Sequence, residues 1–234
     1  MKILNKILVS CVLTFSSLSF AGGVSDDPLL TKVMGEVETR KINGANPKVW
    51  NIDAWIGKDL EKLWIKSEGE KLDGKTTEAE LQILYSKAIE PYWDIQYGIK
   101  KDFQPTPNRT WGVIAAKGLA PYLVEIDASL FIGESGRTSI RLDAEYEYMF
   151  SQKLVLSPEV EINIFGKDDE VTSTGKGLSN IDAGLRLRYE LSREFAPYVG
   201  INWGKKYGNT ATFASNEGED VEDAQFVTGI RFWF

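Results

Sequence analysis

The sequence predicts an all-β protein: a closed, antiparallel transmembrane β-barrel of about twelve strands around a polar lumen. Three observations predict it. Segments of about ten residues alternate apolar and polar side chains, the period of a strand with one apolar face. The connections between those segments alternate between short and long. The chain opens on an export signal and closes on the apolar aromatic run Phe232-Trp233-Phe234.

The signal comes first. Lys2 and Lys6 precede an apolar run from Ile7 to Phe20, and Ser19-Phe20-Ala21 puts small residues where a signal peptidase reads. Residues 1–21 are too short for a membrane span, and no run of about 18 apolar residues follows them. The lipobox-like Leu8-Val9-Ser10-Cys11 lies too close to the start to leave a full apolar region. Cleavage after Ala21 removes the only Cys and two of the 27 basic residues. That leaves 25 basic residues against 34 acidic ones, or net −9. A short segment, 22–30, then leads into the barrel domain, 31–234.

The strands read in order as 31–42, 49–57, 61–70, 78–88, 91–102, 110–118, 121–134, 137–150, 153–166, 177–191, 194–206 and 223–234. The first alternates only roughly. Trp93 to Lys100, Val124 to Leu130, Ile140 to Tyr148, Pro158 to Ile164 and Ile181 to Glu190 alternate cleanly. Trp50, Trp93, Tyr146, Tyr148, Tyr189 and Trp203 sit near strand ends, where interfacial aromatics belong. Tight connections at 58–60, 89–90, 119–120, 151–152 and 192–193 alternate with longer ones at 43–48, 71–77, 103–109, 167–176 and 207–222. Ser135-Gly136 is a tight exception. Short periplasmic turns and long outside loops are the asymmetry of an outer-membrane barrel, whereas a soluble sandwich has no reason to sort its loops. Backbone groups in lipid must pair within the protein, so the barrel closes. Pro158 cannot donate to the ladder and is expected at a bulge.

Phase places the polar residues of the clean strands in the lumen. Glu125, Asp127, Asp143, Glu145, Glu159 and Glu161 form a candidate cation site. Asp94, Arg141, Asp182, Arg186 and Arg188 form a network around it. Two readings stand side by side: the arginines cross-link the acids and fill a narrow barrel, or surplus carboxylates bind or conduct a cation. Acidic loops at 168–170 and 217–223 are read as solvated surface, without the spacing of a calcium loop.

Composition removes whole classes of function. With no His anywhere and no Cys after the signal, Ser-His-Asp and Cys-His catalysis, an imidazole base and His-ligated metal are excluded. The chain is read as no enzyme; paired carboxylates remain the one hydrolytic device available. A pI of about 4.9 without a basic stretch argues against nucleic acid.

Specific strings then carry a resemblance. Lys66-Ser67-Glu68-Gly69-Glu70, Glu80 to Ser86, Trp93 to Gly98, Gly118 to Tyr122, Gly184 to Glu190, Arg193 to Gly200, Gly208 to Ala211 and Gly229 to Phe234 occur in order over nearly the whole mature chain. The chain resembles the copper resistance protein B family of outer-membrane proteins. The resemblance implies an outer-membrane barrel, a lipid-embedded monomer, acting in copper tolerance by binding, sequestering or passing copper. Copper is the only metal implied, and by resemblance alone. Many members carry a Met- and His-rich stretch before the barrel; Gly22 to Leu30 has neither residue type. Cu(I) favours Cys and Met, and Cu(II) favours imidazole. Met34 and Met149 are read as packing residues, so weak handling by lumen carboxylates is the expected chemistry. The alternative is a transport pore for ions or small solutes with only an indirect link to copper.

Overall fold

A computed structural model describes residues 27–41 and 45–234. The signal read over residues 1–21 lies outside the described residues, as do residues 42–44 of the first connection. The strands are β1 (Leu30–Lys41), β2 (Lys48–Gly57), β3 (Glu61–Leu72), β4 (Lys75–Glu90), β5 (Trp93–Gln104), β6 (Arg109–Ala120) and β7 (Val124–Gly133). They continue as β8 (Thr138–Tyr146), β9 (Tyr148–Met149), β10 (Leu154–Phe165), β11 (Gly177–Tyr189), β12 (Phe195–Lys206) and β13 (Glu222–Trp233). Each pairs antiparallel with its neighbour, and β1 pairs with β13, opposing Val37 to Ile230, so the sheet closes on itself.

Both β8 and β9 pair with β10 in one register: Glu159 opposes Glu145, and Leu156 opposes Tyr148. They are one strand interrupted at Glu147, and the wall has twelve strands. The interruption lies beside Pro158, which has no N–H to give. The bulge expected at Pro158 is absent, because one missing donor breaks a bond without adding a residue. The register shift on β10 falls instead between Asn163 and Ile164.

The start of β1 and the end of β13 share one end of the barrel, here the terminal end. Its turns are short and apolar-tipped: Tyr122 is 89% exposed and Tyr92 76%. The far end carries the longer connections, with three departures from expectation. Residues 71–77 are not a loop. β3 and β4 run on to a two-residue hairpin at Asp73-Gly74, both in the left-handed region (φ 48° and 82°), the conformation that Asp-Gly favours. The 207–222 connection holds a helix, α1 (Gly208–Glu217), ended by Gly218 at φ 78°. Thr210 and Ala214, one turn apart, form its buried face. The Thr210 hydroxyl accepts the Gly175 N–H at 2.8 Å, and Ser173 donates to Glu217 at 2.6 Å, fastening α1 to the β10–β11 loop. Nor is Asp169 solvated: Arg109 and Arg137 both donate to it, at 2.8 and 2.9 Å.

The outward face is the apolar one. Ile99, Ile114, Ile132, Val199, Ile201 and Phe226 stand exposed on the wall. No helix among the described residues is long and apolar enough to cross a membrane, and the exposed apolar belt belongs to the strands.

Candidate functional site

Alternation on each strand turns one set of side chains inward. Cross-strand pairing fixes which set: Asp127 opposes Asp143, Asp143 opposes Glu161, and Glu161 opposes Asp182. A parallel row opposes Glu125 to Glu145 and Glu145 to Glu159. All six residues of the expected cation site therefore share the interior face, as do Asp94, Arg141, Asp182, Arg186 and Arg188.

Cations on other strands then divide that set. Lys66 on β3 lies 2.7 Å from Asp127 on β7, and Lys117 lies 3.8 Å from it. Arg231 on β13 reaches Glu145 at 2.8 Å. Arg186 contacts Glu159 on one side and Glu38 on the other, the latter at 3.0 Å. Arg141 on β8 spans to β3 and β4, meeting Glu68 at 3.1 Å and Glu80 at 3.0 Å, with Glu161 looser at 3.9 Å. Arg188 holds Glu147 at 2.6 Å, and Asp94 accepts from Ser86 at 2.8 Å. Asp143 and Glu125 take no ion pair among the described residues. The arginines thus tie the lumen together from strand to non-neighbouring strand, while leaving part of the negative charge uncompensated.

The interior has two unlike halves. On β3 to β7 it is filled by Trp64, Leu84, Trp111, Val113, Ala115 and Phe131, with Met34 and Trp55 packed against them. Met34 is a packing residue; Met149 is 61% exposed at a strand end, away from that core. Lys100 crosses this half, 4.5 Å from the Phe131 ring centre and 2.6 Å from Glu80. Trp111 donates to Asp102 at 2.7 Å. On β11 and β12 the inward positions include Gly184, Gly200 and Gly204, with Asn202 between the last two.

One row of pairings joins these parts. Asp94 opposes Lys117, which opposes Asp127; Asp143, Glu161 and Asp182 follow, then Gly204 and Asp223. Asp94 is the second residue of β5, at the terminal end, and Asp223 is the second of β13, at the far end. Strands tilt in a barrel, so a row perpendicular to them climbs the axis. Seven steps of about 4.8 Å carry the row about 34 Å round the wall. It is a stair of carboxylates from one mouth to the other.

Glu36, Glu38, Glu68, Glu80, Lys66, Lys100, Asp223 and Arg231 belong to this interior and were not read from the sequence. In β3 and β4 the inward set includes Trp64 and Leu84, so both faces look apolar and period two loses its sign. Pairing with a cleanly phased neighbour restores it: Gln96 inward on β5 places Ser86 inward on β4.

The donor set bears on metals directly. Among the described residues no group of three or more His, Cys, Asp or Glu side chains is arranged to hold a metal ion. With no imidazole or thiolate present, the donors do not suit tight soft-ligand copper coordination. They are oxygens, suited to loosely held hard or borderline cations.

Comparison with known proteins accords with this picture. The barrel resembles the NanC porin (TM-score 0.56, 12% identity, 87% of this chain and 99% of that one). It also resembles the KdgM porin (TM-score 0.50, 10% identity, the same shares). These likenesses are of fold. In sequence, the chain is 39% identical over 202 residues to the copper resistance protein B of Escherichia coli, covering 86% of this chain and 68% of that protein. It is 41% identical over 202 residues to the copper resistance protein B homolog of Pseudomonas syringae pv. tomato, covering 86% and 69%. The family model for the copper resistance protein B precursor matches residues 30–234. The chain belongs to the copper resistance protein B family.

Proposed function

We propose that the chain is a monomeric outer-membrane barrel serving copper tolerance without catalysis, through weak handling of cations by its lumen carboxylates. The apolar belt and the closed ring support a lipid setting, with the terminal end periplasmic. Closure of β1 on β13 within one chain supports the monomer. The family supplies copper as the cargo. The observation that carries the mechanism is the uneven charge pairing along the carboxylate row. Asp127 is neutralised by two lysines, whereas Asp143 has no ion pair and Glu161 only a loose one. Carboxylates held near cations in this way exchange partners rather than trap an ion, because an incoming cation competes with a resident amine or guanidinium.

Cu(II) titration of refolded barrel, followed by electron paramagnetic resonance, tests the reading. Binding should be weaker than micromolar and should fall further in Asp143→Asn and in Glu159→Gln. Submicromolar binding that survives both substitutions would overturn it.

A further inference from the structure

The far-end step of the carboxylate row has a geometry of its own. Asp182 on β11 and Asp223 on β13 flank Gly204 on β12. One oxygen of each carboxylate is occupied on its own strand: Asn180 donates to Asp182 Oδ2, and Gln225 donates to Asp223 Oδ2. The other oxygens face the glycine. A Cβ on Gly204 would stand 2.8 Å from Asp182 Oδ1 and 3.0 Å from Asp223 Oδ1, so both converge on the space that the missing side chain leaves.

Two further groups at this place lack partners. Gln225 Oε1 is buried without a donor. Asn202, 4% exposed on the same inward face one step below Gly204, makes no side-chain hydrogen bond among the described residues. Burying an unpaired amide oxygen such as Gln225 Oε1 is costly, and a resident partner removes the cost. Two anionic oxygens and amide oxygens without donors ask for a cation, since each is an acceptor. Two basic groups on the neighbouring strands have ion-pair partners of their own: Lys206 lies 2.6 Å from Glu219, and Arg40 lies 2.7 Å from Glu38.

We propose that Asp182, Asp223, Asn202 and Gln225 form an oxygen-ligand site for a divalent cation over Gly204, the first docking point inside the far mouth. The inference rests on the reading of the lumen as a cation-handling surface and gives it an entry site. All-oxygen donors suit hard ions such as Mn²⁺ and Mg²⁺, and on the same ligands Cu²⁺ binds more tightly than Mn²⁺. The glycine is what admits the ion: any side chain there would fill the space between the two carboxylates.

The test uses refolded full-length mature barrel and Mn²⁺ alone, read by electron paramagnetic resonance. Wild type should bind Mn²⁺, and Asp223→Asn and Asp182→Asn should each weaken it by at least about tenfold, the size of loss typical of groups that hold or orient a metal. Gly204→Ala should do the same with no change of charge. Asp223→Asn keeps the shape and so serves if Gly204→Ala fails to fold, which heat-modified gel migration reports. Glu90→Gln, on the exposed last residue of β4 at the opposite end, should leave Mn²⁺ binding unchanged. Binding that persists in both Asp variants, or falls equally in Glu90→Gln, overturns the site. If those variants are silent while Asp143→Asn still weakens Cu(II) binding, the site fails and the broader reading stands; if no variant alters either ion, both fail.

Discussion

Arg186 on β11 places Nη2 3.0 Å from Oε2 of Glu38 on β1, with two strands between them, and both side chains are more than nine-tenths buried. The same guanidinium meets Glu159 on β10, and Tyr198 donates to Glu38 at 2.9 Å. Glu38 thus has a full set of donors although it lies within the wall's interior. Replacing Arg186 by Met removes the shared cation, leaving Glu159 without an ion pair and Glu38 with Arg40 and Tyr198 alone. Breaking a buried pair in this way costs on the order of 3–5 kcal/mol. Urea unfolding in lipid vesicles should show a loss of that size for Arg186→Met and a smaller one when Glu38→Gln is added. Equal losses in the two would mean that Arg186 acts by packing alone.

Arg141 is the second hub, and its removal should change function more than stability. It is the shared partner of Glu68, Glu80 and Glu161. In Arg141→Gln those acids keep one another's company without the guanidinium, though Lys100 still holds Glu80 at 2.6 Å. The lumen then gains net negative charge along the carboxylate row. Planar-bilayer recordings should show a rise in cation over anion selectivity, and Cu(II) binding should strengthen. An unchanged reversal potential in a salt gradient would place Arg141 off the ion path.

The parts of this arrangement that the sequence exposes, and the parts it hides, divide along physical lines. β5, β7, β8, β10 and β11 alternate cleanly because their inward sets are charged, so Asp94, Asp127, Asp143, Glu161 and Asp182 could be phased directly. β3 and β4 carry Trp64 and Leu84 inward, and there the apolar core and the apolar outer face cancel the signal. The partners of a charge were equally hidden. Lys66 reaches Asp127 across 61 positions of sequence, a closeness that only barrel closure creates. Asp73-Gly74 was legible in principle, since Asp-Gly between alternating runs is a strong hairpin signal. The polar Thr76, Thr77 and Glu78 around it masked the strand as a loop.

The aromatic half of the lumen should act as a plug. Trp111 is 6% exposed and Phe131 2%. Truncating either to Ala removes a large buried ring, at about 3–5 kcal/mol. The vacated space lies beside Lys100 and Asp102, so ions gain a path on that side. Single-channel conductance should be low in wild type and higher in Trp111→Ala/Phe131→Ala, with folding checked by circular dichroism. If the wild type is already an open ohmic pore and the double variant matches it, the passage runs entirely along the glycine side, and the small-solute pore becomes the better reading.

The far-end cap should loosen in acid, and only there. Asp168 lies in the loop between β10 and β11. The Lys176 backbone N–H, at 2.6 Å, and the Asn209 side-chain amide, at 3.1 Å, hold its carboxyl below the usual range. A depressed folded pKa means that the tie is fully present above the unfolded value, about 3.9 for Asp. It fades as pH falls through the lower folded value. Asn209 is in the first turn of α1, so protonation removes one tie between helix and loop while those of Ser173 and Thr210 remain. Limited proteolysis with an acid protease should find the segment 166–176 resistant at pH 4.5 and cleaved faster at pH 2.5. Asp168→Asn cannot titrate, so its cleavage should differ little between the two. A wild-type protein whose cleavage follows the same flat profile would show that the carboxylate does not fasten the cap.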